Sequence, residues 1–148
     1  MLHYLNIERQ ILDAMVNHAR ATAPVEACGI LSGEGPYVMD IHIMTNGDNS
    51  PDHFSLLPEE QFAVAKAIRA NGEKMLAVYH SHPETPARPS DEDRRLAFAP
   101  GIVHIIISLA DPREPVVKGF LLDDGEVVPV SLLISRSVRQ AQDGMVKA

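Results

Sequence analysis

The sequence predicts a mixed α/β fold, a single mixed β-sheet flanked by helices. Three observations carry this expectation. Ile7, Ile11, Leu12, Met15, Val16 and Ala19 recur at helical spacing. Residues 37–44 alternate with the period of two expected for a half-buried strand. Residues 75–79 and 102–109 are short apolar runs, rich in β-branched or aromatic residues, of the length of buried strands. Helical and extended patterns therefore alternate along the chain, as they do when helices cover a sheet.

The elements follow in order. The first helix carries the Ile7 to Ala19 stripe, with Asn6 as its expected cap and Pro24 beyond its end. Residues 25–31 read as a strand, and Ser32-Gly33-Glu34-Gly35-Pro36 as a turn. In the next strand Tyr37, Met39, Ile41 and Ile43 form the apolar side; His42 lies with Asp40 on the polar side, a solvated face. A polar loop covers 46–52. A second helix begins at Pro58, a favoured first helical residue, with Glu59 and Glu60 behind it, and ends at Asn71-Gly72. After the 75–79 strand, a helix is expected from Asp91 through Ala97. His104, inside the apolar 102–109 run, reads as a core histidine. Residues 116–122 and 126–134 flank Asp123-Asp124-Gly125 as a hairpin, and Pro129 marks the last strand as an edge. The polar tail, 136–148, reads as a short helix or frayed end.

Composition narrows the class of protein without identifying it. A chain of 148 residues, 45% hydrophobic, suits one domain spanning 1–148 with a sizeable core. A net charge of −7 offers no footprint for nucleic acid or for an anionic membrane. The single Cys28 excludes an internal disulfide framework, so a reducing, cytoplasmic setting is expected. Glu8 and Arg9 interrupt any signal-like N-terminus, and no apolar run is long enough to span a bilayer. Cys28 lies inside an apolar strand, where a small buried residue is expected rather than a nucleophile.

The chemistry concentrates in His80-Ser81-His82-Pro83 and, six residues later, Ser90-Asp91-Glu92-Asp93. On a strand, His80 and His82 face one way and Tyr79 and Ser81 the other, and Pro83 stops the ladder. Ser90 is the expected cap of the helix that follows, with acidic residues in its first turn. Ser90 and Asp93, three apart, can project toward one spot, whereas Asp91 and Glu92 should rotate away. Two histidines and an aspartate make a three-ligand catalytic zinc set with a fourth position open. The Ser-x-x-acid spacing also reads as a capping box, and the two readings are compatible.

The pattern His-x-His-Pro, six residues, Ser-x-x-Asp resembles the motif of the JAMM (MPN+) zinc metallopeptidases, with every fixed position filled. Five fixed positions make a chance match on the order of one in ten thousand or rarer. Around Pro24-Val25-Glu26-Ala27-Cys28-Gly29 the chain also resembles the family's segment bearing an essential glutamate, which makes Glu26 the match. The resemblance covers about residues 1–130 and implies the family's architecture, shared with cytidine-deaminase-like folds. A deaminase is a poor reading, because those enzymes hold zinc with a Pro-Cys-x-x-Cys pair and this chain has one cysteine.

The resemblance implies hydrolysis of an amide or isopeptide bond. One zinc per chain is held by His80, His82 and Asp93; Glu26 serves as proton carrier and Ser90 as oxyanion donor. The seven residues between Pro83 and Asp91 leave no room for ubiquitin-gripping insertions. The chain is therefore similar to the short prokaryotic branch, whose partners are small ubiquitin-like sulfur carriers ending in Gly-Gly. Phe54 and the 46–53 loop are expected carrier contacts. The alternatives are a non-catalytic zinc-binding scaffold, a general small-peptide metallopeptidase and a DNA-repair-associated relative; the acidic balance argues against the last.

Overall fold

A computed structural model describes residues 3–95, 100–123 and 125–136. Seven strands and three helices follow in the order β1 (Tyr4–Glu8), α1 (Arg9–Thr22), β2 (Cys28–Glu34), β3 (Tyr37–Met44), α2 (Pro58–Ala70), β4 (Lys74–His82), α3 (Asp91–Arg95), β5 (Val103–Ser108), β6 (Val116–Asp123) and β7 (Glu126–Ser135). All strands belong to one mixed sheet in the order β1-β3-β2-β4-β5-β6-β7, closed by β1 pairing with β7. The β4–β5 pair and both pairs made by β1 are parallel; the others are antiparallel.

One face of the sheet wraps around α1, which buries Ile11, Met15 and Ala19 against Leu5, Ile7, Leu31, Tyr79, Ile105 and Ile107. The other face carries α2, with Ile68 packed beside Cys28, Ile30, Met44, Leu56 and Val78. Each fully buried aliphatic side chain contributes about 1.5–3 kcal/mol. The alternation of β4 assigns Tyr79 and Ser81 to the α1 side and Val78, His80 and His82 to the α2 side. The expectation of a single sheet flanked by helices is met.

Four local readings change. Asn6 and Ile7 belong to a strand, not to the start of a helix: Leu5 and Ile7 are fully buried, β1 pairs with β7, and Glu8 holds the N-cap position without a side-chain bond. The signal was hidden because the partner strand lies more than a hundred residues away in sequence. The second strand spans Cys28–Glu34 rather than 25–31, so Glu26 lies just ahead of it and the expected five-residue turn shrinks to Gly35-Pro36, with Gly35 at φ 59°. In β3 the ladder skips Met39 opposite Ser32/Gly33, so Val38 and Ile41 both face the α1 side while Met44 buries on the α2 side, and Met39 and Ile43 are exposed. His42 is half-buried rather than solvated, with Nε2 2.8 Å from Ser32 Oγ.

The fourth change concerns Pro129, since β7 is not an edge. Proline is tolerated because β1 pairs only with Ser131 to Ser135, beyond Pro129, so no β1 bond needs its missing N–H. The hairpin at 123–125 forms as expected, although Asp124 lies outside the described residues. So do Leu96 and Ala97 of the expected third helix, and residues 137–148 of the tail.

Candidate metal centre

The site is built where β4 ends. The register sets Cys28 opposite His80, and Ser81 N–H donates to Ala27 O at 3.0 Å, which carries the pairing one residue further. Glu26 therefore falls opposite His82, a placement that no spacing in the sequence specifies. On the other side β5 pairs Ile106 with His80 and Ser108 with His82. Both edges of the histidine-bearing segment are thus hydrogen-bonded, which holds the two imidazoles on one face.

The loop after Pro83 is pinned to this frame. Ser108 Oγ donates to Thr85 O at 2.6 Å, Ala87 buries beside Ile106 and Phe120, and His82 Nδ1 donates to Pro86 O at 2.9 Å. The loop delivers Ser90 and α3. Asp93 N–H donates to Ser90 Oγ at 3.0 Å, and Ser90 N–H donates back to Asp93 Oδ2 at 2.9 Å. This is the reciprocal capping box, and it leaves the Ser90 hydroxyl proton free to donate elsewhere.

His80, His82 and Asp93 converge. The two Nε2 atoms are 3.2 Å apart, and each is 3.1 Å from Asp93 Oδ2. Among the described residues these three form the one group placed to hold a metal ion. The donor set fits a cation. With its Nδ1–H given to Pro86, neutral His82 can offer only a lone pair from Nε2, directed at a carboxylate oxygen and a second imidazole nitrogen. Three acceptors that close repel one another unless a proton or a cation sits among them.

The electrostatics agree. Burial opposes ionisation of Asp93, but its contacts with His80 and His82, which can take up a proton facing it, and the Ser90 N–H bond outweigh burial and hold the carboxyl well below its usual range. Burial likewise opposes a charge on His82, yet its bonds to Asp93 and Pro86 raise its pKa. His80 has no such backbone acceptor and is wholly buried, so desolvation wins and its pKa falls.

Glu26 sits beside this cluster, 2% exposed, and among the described residues its Oε1 has no hydrogen-bond partner. Burial, with help from Asp93 and Asp52 and against the pull of His82, pushes its pKa up to about 8. Its backbone is held by the 46–57 loop: Glu26 N–H donates to Ser50 O at 2.9 Å, and Asn46 Nδ2 donates to Glu26 O at 3.0 Å. Asn46 also reaches His53 O, so one side chain ties the loop to the site. Two clefts flank the ligand cluster. One, about 290 Å³, is lined by Glu26, Asp52, His82, Glu84 and Ser90. The other, about 260 Å³, is lined by His53, Phe54, His80, Glu92, Asp93 and His104.

All five residues singled out in the sequence thus gather at one place. Asp91 is exposed and turned away as expected, but Glu92 faces the second cleft. Phe54 stacks on His80, with ring centroids 4.8 Å apart and planes 24° from parallel. His104, read as a core histidine, is buried but borders the site; burial and the neighbouring His80 push its pKa down to about 4. Only the parallel register of β4 and β5, which pairs Val78 with His104, brings it there. Asn46 and His53 belong to the 46–53 loop expected to contact a carrier, but nothing local in a polar loop ties either side chain to the histidines farther along the chain. Cys28 is fully buried and its thiol is pushed up to about 12, which excludes a thiolate nucleophile.

Comparison with known proteins identifies the family. Residues 8–119 match the family of prokaryotic homologs of the JAB domain, and the chain belongs to that family. It is 37% identical over 136 residues to the CysO-cysteine peptidase of Mycobacterium tuberculosis, covering 89% of this chain and 93% of the relative. It is 35% identical over 111 residues to a desampylase of Haloferax volcanii, covering 70% of this chain and 80% of that one. A Desulfitobacterium hafniense protein solved in solution superposes with a TM-score of 0.85 at 41% identity, over 92% of this chain and 96% of that structure.

Proposed function

We propose that this protein is a zinc-dependent peptidase that hydrolyses the amide or isopeptide bond after the C-terminal Gly-Gly of a small ubiquitin-like sulfur carrier. The observation that carries the reading is the convergence of His80, His82 and Asp93 beside a desolvated Glu26 whose Oε1 has no partner among the described residues. His80 and His82 would hold zinc through Nε2 and Asp93 through Oδ2, three protein ligands with one position left open. A zinc ion so held acidifies water and polarises a carbonyl.

The protein's own groups supply the rest. Glu26 takes a proton from the water whose oxygen attacks the scissile carbonyl carbon. It then delivers that proton to the amine nitrogen as the C–N bond breaks. A carboxylate whose pKa has been moved toward neutrality suits both transfers. Ser90, whose oxygen already accepts from Asp93 N–H, donates its hydroxyl proton to the carbonyl oxygen as charge develops there. His82 Nδ1 on Pro86 and the Phe54 ring on His80 keep both imidazoles oriented.

The carrier assignment draws on two lines of support. The relatives include a peptidase named for a cysteine joined to CysO and a desampylase. The cleft lined by Glu26, His82 and Ser90, about 290 Å³, has room for an extended tail without side chains. A cytoplasmic setting fits a single buried cysteine, and among the described residues no helix is long and apolar enough to cross a membrane.

The test joins metal content to cleavage. Elemental analysis should find zinc lost in His80→Ala, His82→Ala and Asp93→Ala but kept in Asp91→Ala and Glu26→Gln. Intact-mass spectrometry of a Gly-Gly-X carrier from the same organism should show loss of X with zinc-loaded enzyme. Chelator should stop the reaction, and Glu26→Gln should slow it by roughly 10²–10⁴-fold. Efficient cutting of unrelated unfolded peptides but not of the carrier would favour a general peptidase. Zinc binding without any cleavage would favour a scaffold.

A further inference from the structure

Glu26 lies just ahead of β2, outside the ladder that begins at Cys28, and its Oε1 has no hydrogen-bond partner among the described residues. The direction of its side chain is therefore set by where its backbone is held. The next residue is tied to β4: Ala27 N–H donates to Ser81 Oγ at 2.7 Å, and Ser81 N–H donates to Ala27 O at 3.0 Å. Glu26 itself is tied the other way, to the loop after β3. Its N–H donates to Ser50 O at 2.9 Å, and its carbonyl accepts from Asn46 Nδ2 at 3.0 Å.

That amide is committed on every side. Nδ2 faces three carbonyl oxygens: Glu26 O, His53 O at 3.0 Å and Ser50 O at 3.4 Å. Oδ1 faces two N–H groups, Asp48 at 2.9 Å and Ser55 at 3.4 Å. These neighbours decide which end of the amide is nitrogen, and neither aspartate nor alanine can reproduce the pattern. The backbone of Asn46 is anchored by a bridge to Leu56. Just before it, Thr45 N–H and Oγ1 both donate to the Glu60 carboxylate at 2.8 Å. The His53 carbonyl belongs to the peptide that leads into Phe54, whose ring stacks on His80. One side chain thus connects the acid on one side of the ligand group to the ring on the other.

We infer that Asn46 is a positioning residue for the hydrolysis, holding the Glu26 carbonyl against the 46–57 loop so that the acid stays aligned with the His80, His82 and Asp93 group. This rests on the peptidase reading above and adds to it a residue whose hydrogen bonds reach none of the three ligands. Displacing a proton carrier by about 1 Å is enough to cost on the order of 10²-fold in rate. The loss belongs to kcat, because a misaligned acid spoils proton transfer and not the binding of the tail.

The experiment uses the full chain and two variants. Asn46→Ala removes the amide, and Asn46→Asp sets a carboxylate against the same carbonyls. In both, amide exchange followed by NMR should speed about tenfold or more at Glu26 and stay slow at Ala27, which Ser81 holds. Thr45→Val, one residue away, removes only the hydroxyl bond to Glu60 and should leave exchange at Glu26 and turnover unchanged. With zinc content equal to wild type by elemental analysis, both Asn46 variants should lower kcat on a Gly-Gly-X carrier by roughly 10–10²-fold, with KM within about twofold. In a Glu26→Gln background, Asn46→Ala should cost less than about twofold more, because the group it aligns is gone. Wild-type kcat in metal-replete Asn46→Ala, a loss undiminished in the Glu26→Gln background, or unchanged exchange at Glu26 overturns the assignment. If zinc-loaded wild type cleaves no carrier, the peptidase reading falls, and the exchange comparison still decides whether Asn46 holds Glu26.

Discussion

At the scale of single residues, Glu26 is the acid of the site with the largest upward pKa shift. It is 2% exposed, with an oxygen that no donor among the described residues satisfies. Desolvation pushes its pKa up to about 8 from an ordinary 4.5. Between those two values the folded chain keeps a proton that the unfolded chain has released, so stability falls as pH rises through that window. In chelator-treated protein, Glu26→Gln should melt near wild type at pH 4 and above it at pH 9. Calorimetric or optical melting checks this, and a higher wild-type melting temperature at pH 9 would refute the desolvated placement. His80, His82, Ser90 and Asp93 could be grouped from the sequence because one strand end, one short loop and one helical turn join them. Glu26, more than 50 residues earlier, could be added only through family resemblance; geometry brings it opposite His82 through the register of β2 and β4.

At the scale of elements, the strand that carries the ligands depends on how closely β2 approaches it. A Cβ at Gly29 would lie 2.3 Å from the Tyr79 ring and 2.6 Å from His42 O. Tyr79 cannot swing away, since it is fully buried and its hydroxyl is 2.7 Å from His18 Nδ1. Gly29→Ala should therefore cost at least about 1–3 kcal/mol by overpacking, read as a lower urea midpoint. Because Tyr79 precedes His80, any metal affinity of the His80, His82 and Asp93 group should fall as well. An unchanged midpoint would show that the two strands have slack. Helix α3 illustrates economy at this scale: the bonds that cap it also orient Asp93 toward the histidines, so the capping box and the ligand set are one structure.

At the scale of the whole molecule, closure of the sheet is the feature that local patterns did not announce. β1 pairs with β3 and with β7, joining residues near position 5 to residues near 132. Leu5, fully buried, faces α1 and the core. Leu5→Ala should cost about 2–5 kcal/mol, whereas Met39→Ala, at an exposed position, should change stability by less than about 0.5 kcal/mol. Chemical denaturation distinguishes the two, and a Leu5→Ala midpoint equal to wild type would mean that closure contributes little.

The sequence by itself determined the helices and most strands, because period and punctuation are local. It also determined the ligand motif, because its members are close along the chain. Tertiary structure alone decided that residues 4–8 are a strand, that β7 has a partner on both sides, and that His53 and His104 border the candidate metal centre. The physical reason is the same in each case. Strand pairing and register are contacts between distant segments, stabilised by backbone bonds and burial that no local pattern encodes.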